Sequence, residues 1–226
     1  MHLHPVTQTI REIASIAARI GFVPALGPEL ETEFYNFDAL NVPKDHPSRD
    51  MQDTFWVKDT GQVLRTHTSS VQVRYLETHD GPFRIIAPGR VFRNEATDAT
   101  HDVQFHQLEG LLVGEEASMA TLKGTILHIL KGLFGEEVGI RFRPSYFPFV
   151  EPGVEVDMFY HGKWMEVMGA GIVHPKVFEA AGKDPKKMKG FAFGMGVDRL
   201  VMLKYDIPDV RLLYSADLRV TAQFSE

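Results

Sequence analysis

Between residues 83 and 169 the chain is a succession of apolar, strand-like runs, most of them joined by short polar turns, with one long helical run among them. Parallel neighbours need long crossover connections, and these turns are too short for that. The runs must therefore pair as an antiparallel or mixed sheet carrying a few helices, not as a βαβ nucleotide fold. The strand runs are 83–86, 90–95, 103–113, 140–143, 155–160 and 163–169, the last two joined at His161-Gly162. The polar stretch 96–102, which carries His101, turns two of them into an antiparallel ribbon.

Helical periodicity marks the rest. Ile10, Ile13, Ala17 and Ile20 recur at spacings of three and four, which predicts an amphipathic helix over 7–20, stopped at Gly21. A short strand is expected at 22–26 and a hairpin from 55–57 and 61–65. A short helix over 69–79 would be capped near Thr68 or Ser69. The stripe Leu122, Ile126, Ile129, Leu130 and Leu133 predicts a long helix over 119–133, and 197–205 a final one behind a glycine-rich turn at 190–196. The stretch 31–53 is polar, with aromatic residues at Phe34, Tyr35 and Phe37, and within it 42–47 reads as a loop, either ordered over a site or plain surface. With no internal repeat and no low-complexity linker, one domain over 1–226 is the simplest count.

Composition excludes several classes. Hydrophobic residues at 44% and charged residues at 24% are ordinary globular values, so disorder is a poor default. No apolar run reaches the roughly eighteen residues of a membrane span. The absence of cysteine removes disulfides, thiolate zinc sites and thiol nucleophiles together, and fits an intracellular protein. A net charge of −6, with scattered basic residues densest at Lys183, Lys186, Lys187 and Lys189, is not that of a chain that wraps RNA unaided.

Four constellations can carry chemistry. Arg93 and Glu95, two residues apart, would share one strand face; a guanidinium fork suits phosphate or carboxylate, although a surface ion pair accounts for the two residues equally. Phe105, Gln107 and Glu109 fall on one face if Leu108 points to the core, offering a ring to stack a base and a carboxylate to hold an ammonium; a solvated sheet face is the alternative. Phe147 and Phe149, in the run Tyr146-Phe147-Pro148-Phe149, would face the same way if extended and wall an apolar slot, or belong to a core cluster. Gly194 and Gly196 allow close backbone approach to a ligand, and Arg199 at the following helix start suits phosphate oxygens. The run FAFGMGVDR (191–199) is neither a P-loop nor GxGxxG, and no histidine spacing makes a zinc site.

Taken in order, the segments HPVTQTIREI (4–13), YNFDALNVPKDHPSRDMQDTF (35–55), RTHTSSVQVR (65–74), IIAPGRVFRNE (85–95), ATHDVQFHQLEG (99–110), RFRPSYFPFVEP (141–152), EVMGAGIVHP (166–175) and GFAFGMGVDRL (190–200) closely resemble the catalytic domain of the bacterial phenylalanyl-tRNA synthetase alpha chain, a class II synthetase. The likeness implies an α+β fold, a mostly antiparallel sheet flanked by helices. It implies ATP-dependent activation of L-phenylalanine and transfer to tRNA(Phe), with ATP and Mg2+, by a cytoplasmic α2β2 assembly with a beta subunit. On this likeness residues 4–28 are motif 1 at a subunit interface, 90–110 motif 2, and Arg199 belongs to motif 3. Arg93 and Arg199 would be catalytic, with Glu95, His101 and Phe105 also holding ATP. His67, Ser69, Gln72, Gln107 and Glu109 would surround the ammonium and backbone of the amino acid. Phe147 and Phe149 would line the ring pocket, with Ala192 and Gly194 at its end and wall. Glu151 and Glu155 are the candidate magnesium carboxylates. Motif 1 begins so near Met1 that the family's N-terminal tRNA-binding helical arm is expected to be absent, and Ser70 stands where the family commonly has proline. A regulatory amino-acid-binding paralogue or an interaction scaffold are the alternatives.

Overall fold

The computed structural model describes residues 3–50 and 53–224; residues 51 and 52 of the polar stretch 31–53, and the two residues at each end of the expected 1–226 domain, lie outside the described residues. Helix α1 runs over Pro5–Ala18, beginning two residues before the expected start and ending two before the expected end. The cause of the early start is local: the His4 ring Nδ1 accepts the Val6 N–H at 3.3 Å, and Pro5 fills a first-turn position that needs no N–H. Val6, Ile13, Ile16 and Ala17 form its buried face, packed on two later helices.

Strand β1 (Val23–Pro24) then lies parallel to a later strand, with Val23 opposite Ile85. Strand β2 (Leu30–Thr32), helix α2 (Glu33–Asn36), strand β3 (Trp56–Val57) and strand β4 (Gln62–Leu64) follow, the strands forming a small antiparallel sheet in the order β2-β4-β3. Much of the polar stretch between β2 and β3 is ordered by one cation. Buried Arg49 donates to Glu33 at 2.9 Å, to Asp38 at 2.7 Å and to the Val42 carbonyl. Helix α3 spans Ser70–Thr78.

The principal sheet is built from β5 (Phe83–Phe92), β6 (Gln104–Val113), β7 (Gly139–Phe147), β8 (Val150–Tyr160), β9 (Lys163–Val173) and β10 (Gly190–Gly196), together with β1. Helix α4 (Met119–Phe134) follows β6, α5 (Pro175–Ala180) follows β9, and α6 (Val197–Tyr205) follows β10 directly. A 3-10 turn at Val210–Tyr214, the short helix α7 (Leu218–Thr221) and a last 3-10 turn at Ala222–Phe224 complete the described chain. The order across the sheet is β1-β5-β6-β10-β9-β8-β7, antiparallel everywhere except β1 with β5. His161 and Gly162, both at positive φ (48° and 78°), make the two-residue turn between β8 and β9 that the sequence predicts.

The glycine-rich segment 190–196 is a strand at the heart of this sheet and not a turn. It pairs with β6 on one side and β9 on the other, with Gly194 opposite both Glu109 and Gly169. Its alternation divides the molecule. Phe191, Phe193 and Met195 join Leu108, Leu112, Ile126, Ile129 and the buried face of α1 in the main core, beneath α1, α4 and α6. On the opposite face Ala192 joins Leu111, Val150 and residues of α3 and α5 in a second apolar cluster. Each fully buried aliphatic side chain in these clusters contributes about 1.5–3 kcal/mol. A cavity opens beside this second cluster, and Val150 and Ala192 belong to both.

Candidate active site

The cavity has a volume of about 580 Å³ and a floor made by β6, β10, β9 and β8. Because Leu108 is fully buried in the core, period two turns Phe105, Gln107 and Glu109 to the opposite face, and all three line the cavity. Ser69 precedes the first turn of α3 but makes no side-chain cap to that helix. Its hydroxyl donates instead to Glu109 Oε2 at 2.6 Å, beside Gln72 Nε2 donating at 2.7 Å to the same oxygen. Burial raises the Glu109 carboxyl to about 7, against the opposing pull of these two bonds and of the Arg93 charge. Gly194, across from it, leaves no slack: a Cβ there would stand 3.0 Å from Glu109 Cγ.

His67 enters from the segment before α3. The residue is half-buried, with its Nδ1 fully enclosed, and desolvation, with the Arg93 charge nearby, lowers its pKa to about 3, so it is neutral. His67 Nδ1 and Gln107 Oε1 are buried without hydrogen-bond partners among the described residues, and both side chains border the cavity. Buried polar atoms left this way are expensive unless a ligand completes them.

At the apolar end Phe147 and Phe149 stack with ring centroids 6.0 Å apart at 30°. They are not two residues of one extended strand as expected: β7 ends at Phe147, and Pro148-Phe149 form the turn into β8. Phe147 lies so close to the β9 backbone that a Cβ on Gly169 would meet its Cζ at 2.8 Å. Val150, Ala170 and Ala192 complete this slot.

At the other end, Arg93 and Glu95 lie beyond the end of β5, not on its face as expected. Both still line the cavity. The Arg93 N–H reaches Val103 O at 3.0 Å, its Nε donates to Thr66 O at 3.2 Å, and its guanidinium carbon stands 4.9 Å from the Phe105 ring centroid. Within the 96–102 loop the Asp98 carboxylate accepts from Thr100 N at 2.6 Å, from His101 N at 2.8 Å and from the His101 ring at 3.1 Å. These bonds hold its carboxyl well below the usual range and fix His101 at the cavity mouth. Arg199, in the first turn of α6, faces the same space.

Of the two candidate magnesium carboxylates, only Glu155 borders this cavity. It pairs with Arg143 at 2.7 Å and accepts from Ser145 at 2.9 Å. Glu151 borders a separate, smaller cavity, its side chain 3.5 Å from His174. No group of three or more histidine, aspartate or glutamate side chains placed to hold a metal occurs among the described residues. Sequence reasoning passed over Glu166, Gly169 and Asp198 in the cavity wall, and the Arg143 that draws Glu155, Asp157 and Glu166 together at 2.7, 2.8 and 3.2 Å. The alternation Arg141, Arg143, Ser145, Phe147 along β7 was the available signal, since Phe147 already marked the cavity face.

Comparison with known proteins bears on this geometry directly. Residues 1–224 match the family model described as the tRNA synthetases class II core domain (F). The chain is 53% identical over 221 residues to the phenylalanine--tRNA ligase alpha subunit of Synechocystis sp., covering 98% of this chain and 66% of that protein. It is 50% identical over 236 residues to that of Deinococcus radiodurans, covering 98% and 69%. It is 53% identical over 223 residues to that of Thermosynechococcus vestitus, covering 99% and 66%. The chain thus spans about two thirds of the length of the curated relatives it matches. A sheet of this topology with a cavity divided between a buried carboxylate and two arginines, matched over nearly the whole chain, places it in the class II tRNA synthetase core family, among the phenylalanine--tRNA ligase alpha subunits.

Proposed function

We propose that this chain is a single catalytic domain that activates L-phenylalanine with ATP and passes the acyl group to tRNA(Phe). The observation that carries the reading is the polarity of the cavity. One end offers a stacked aromatic slot closed by a buried carboxylate, and the other offers two guanidinium groups beside an aromatic face. An amino acid with an apolar ring fits the first end: the ring between Phe147, Phe149 and Ala192, the ammonium on Glu109, and the backbone end near His67, Ser69, Gln72 and Gln107. The cavity wall at Gly194 lets the substrate lie against β10. ATP fits the second: adenine on Phe105, Glu95 and His101 about the nucleotide, and phosphates between Arg93 and Arg199.

No side-chain nucleophile is needed. The phenylalanine carboxylate oxygen attacks the α-phosphorus, the bond to pyrophosphate breaks in line, and phenylalanyl-adenylate is left. Arg93 meets the charge developing on the α-phosphate, and Arg199 that on the departing pyrophosphate. A ribose hydroxyl of the tRNA terminus then attacks the acyl carbonyl and AMP leaves. Magnesium keeps several waters and binds through one or two carboxylates plus substrate phosphates. Glu155 and Glu166 both line the cavity, and since each is paired with Arg143, holding the ion would require them to give up that pairing. These two residues would hold the ion, which would neutralise phosphate charge.

The surroundings of the reaction follow the family. The relatives are named alpha subunits, and we infer a beta subunit as partner in an α2β2 assembly, working in the cytoplasm. Among the described residues no helix is long and apolar enough to cross a membrane. With a net charge of −6, most of the electrostatic grip on tRNA falls to other parts of that assembly. The test is phenylalanine-dependent exchange of pyrophosphate into ATP, measured on the chain co-purified with its beta partner. Exchange that requires phenylalanine is expected. Phenylalanine binding without exchange would instead mark a regulator, and would refute the ligase reading.

A further inference from the structure

Beyond α6 the chain turns back over the nucleotide end of the cavity. The 3-10 turn Val210–Tyr214 opens at Asp209, whose carboxylate accepts the Arg211 N–H at 2.9 Å. Val210 is buried, borders the cavity, and donates its N–H to Ala99 O at 2.9 Å. Ala99 belongs to the loop that carries His101. At the far end of the turn, the Tyr214 hydroxyl donates to one oxygen of the buried Asp198 carboxylate. The other oxygen of Asp198 accepts the His106 N–H at 2.6 Å.

The remaining bond closes the network. The Tyr214 and His106 rings are parallel within 7°, and His106 Nδ1 stands 3.0 Å from the Tyr214 oxygen. Since the phenol proton is committed to Asp198, a neutral imidazole donates its Nδ1–H to the phenol oxygen. The turn is also held from behind, where the His4 ring Nε2 lies 2.8 Å from Leu213 O. One short segment therefore ties together two parts of the nucleotide end that are remote in sequence. These are the His101 loop and the first turn of α6, in which Asp198 directly precedes Arg199.

We propose that the turn Val210–Tyr214 is the positioning element of the nucleotide half of the site: Tyr214 sets Arg199 through Asp198, and Val210 sets the His101 loop through Ala99. The proposal rests on the ATP reading given above and adds residues to it that the bound nucleotide need not touch. A long arginine side chain is placed only as well as the backbone that bears it, and hydrogen bonds to a buried carboxylate are among the stronger ones. A displacement on the order of 1 Å is enough to cost a large factor in rate. The amino acid half is held separately, by the bonds of Ser69 and Gln72 to Glu109.

Two variants of the assembled enzyme test this, Tyr214→Phe and Val210→Pro. The first deletes one hydroxyl. The second deletes one N–H at a position suited to proline, since Asp209 before it is extended (φ −146°, ψ 122°) and Val210 opens a helical turn. Pyrophosphate exchange is titrated with each substrate, alongside the melting temperature. In each variant KM for ATP should rise about tenfold or more, while KM for phenylalanine stays within about twofold and the fold persists. An unchanged KM for ATP, equal rises in both KM values, or loss of phenylalanine binding together with the fold would each overturn the proposal. A wild-type assembly that shows no exchange would sink the ATP reading itself, and the proposal with it.

Discussion

Replacing Glu109 with glutamine should make the protein more stable and less able to hold its amino acid. Burial moves the Glu109 carboxyl from 4.5 to about 7. At about 1.4 kcal/mol per tenfold change in proton affinity, that is a penalty of roughly 3 kcal/mol on the ionised form in the fold. The sign follows from linkage. The folded chain holds this proton more tightly than the unfolded chain, so the contribution is intact below 4.5, shrinks as pH rises, and is gone above about 7. Glutamine cannot ionise, and its carbonyl still accepts from Ser69 and Gln72. Near pH 8 the variant should therefore be more stable than wild type by roughly 1–3 kcal/mol, and the gap should close toward about pH 5. A substrate ammonium needs the carboxylate, so KM for phenylalanine in the wild type should fall about tenfold from about pH 6 to about pH 8, a dependence the variant lacks. Melting curves across that range, with and without phenylalanine, measure both effects. A variant less stable than wild type at both ends of the range, or one that binds phenylalanine equally well, would refute the reasoning.

Substitutions at two further positions probe the ring slot. Ala192→Gly removes the methyl at its end and should admit para-chlorophenylalanine in pyrophosphate exchange, while Ala192→Ser should narrow it; no gain for the analogue in the glycine variant would remove Ala192 from the pocket. Gly169→Ala places a methyl 2.8 Å from Phe147 Cζ. The ring must move by about 1 Å to restore ordinary contact, and KM for phenylalanine should rise about tenfold with KM for ATP unchanged.

Legibility from sequence depended on how each element is buried. Strand β6 was readable because one face meets the core and the other meets the cavity, so Leu108 alternates visibly with Gln107 and Glu109. Strand β10 was not: it is flanked on both sides and buried on both faces, so no polar alternation marks it, and its glycines mimic a turn. The start of α1 was misplaced because a histidine ring caps it, outside the usual serine, threonine and aspartate signal. Ser69 misled in the other direction, a residue of capping type whose hydroxyl is committed to Glu109. The Arg143 cluster and the Tyr214–Asp198 bond join residues on different elements, and such pairings leave no local pattern to find. Family resemblance supplied roles for Arg93, His101 and Arg199 that spacing alone left ambiguous.

The direct passage of β10 into α6 has a consequence for how such a site can diversify. Ala192, Gly194 and Gly196 face the cavity on one strand, and Arg199 follows within the first helical turn. At about 3.3 Å per residue the strand part spans roughly 13 Å. On the proposed reading, the ring end of the acid and the clamp on the phosphates would be two marks on one ruler, with β6 and β9 bonded along its edges. Changing the residue at one mark should then alter which acid is admitted and leave the spacing to the other mark untouched. On that reading, choice of acid and rate of activation would vary separately, although a single seven-residue strand serves both.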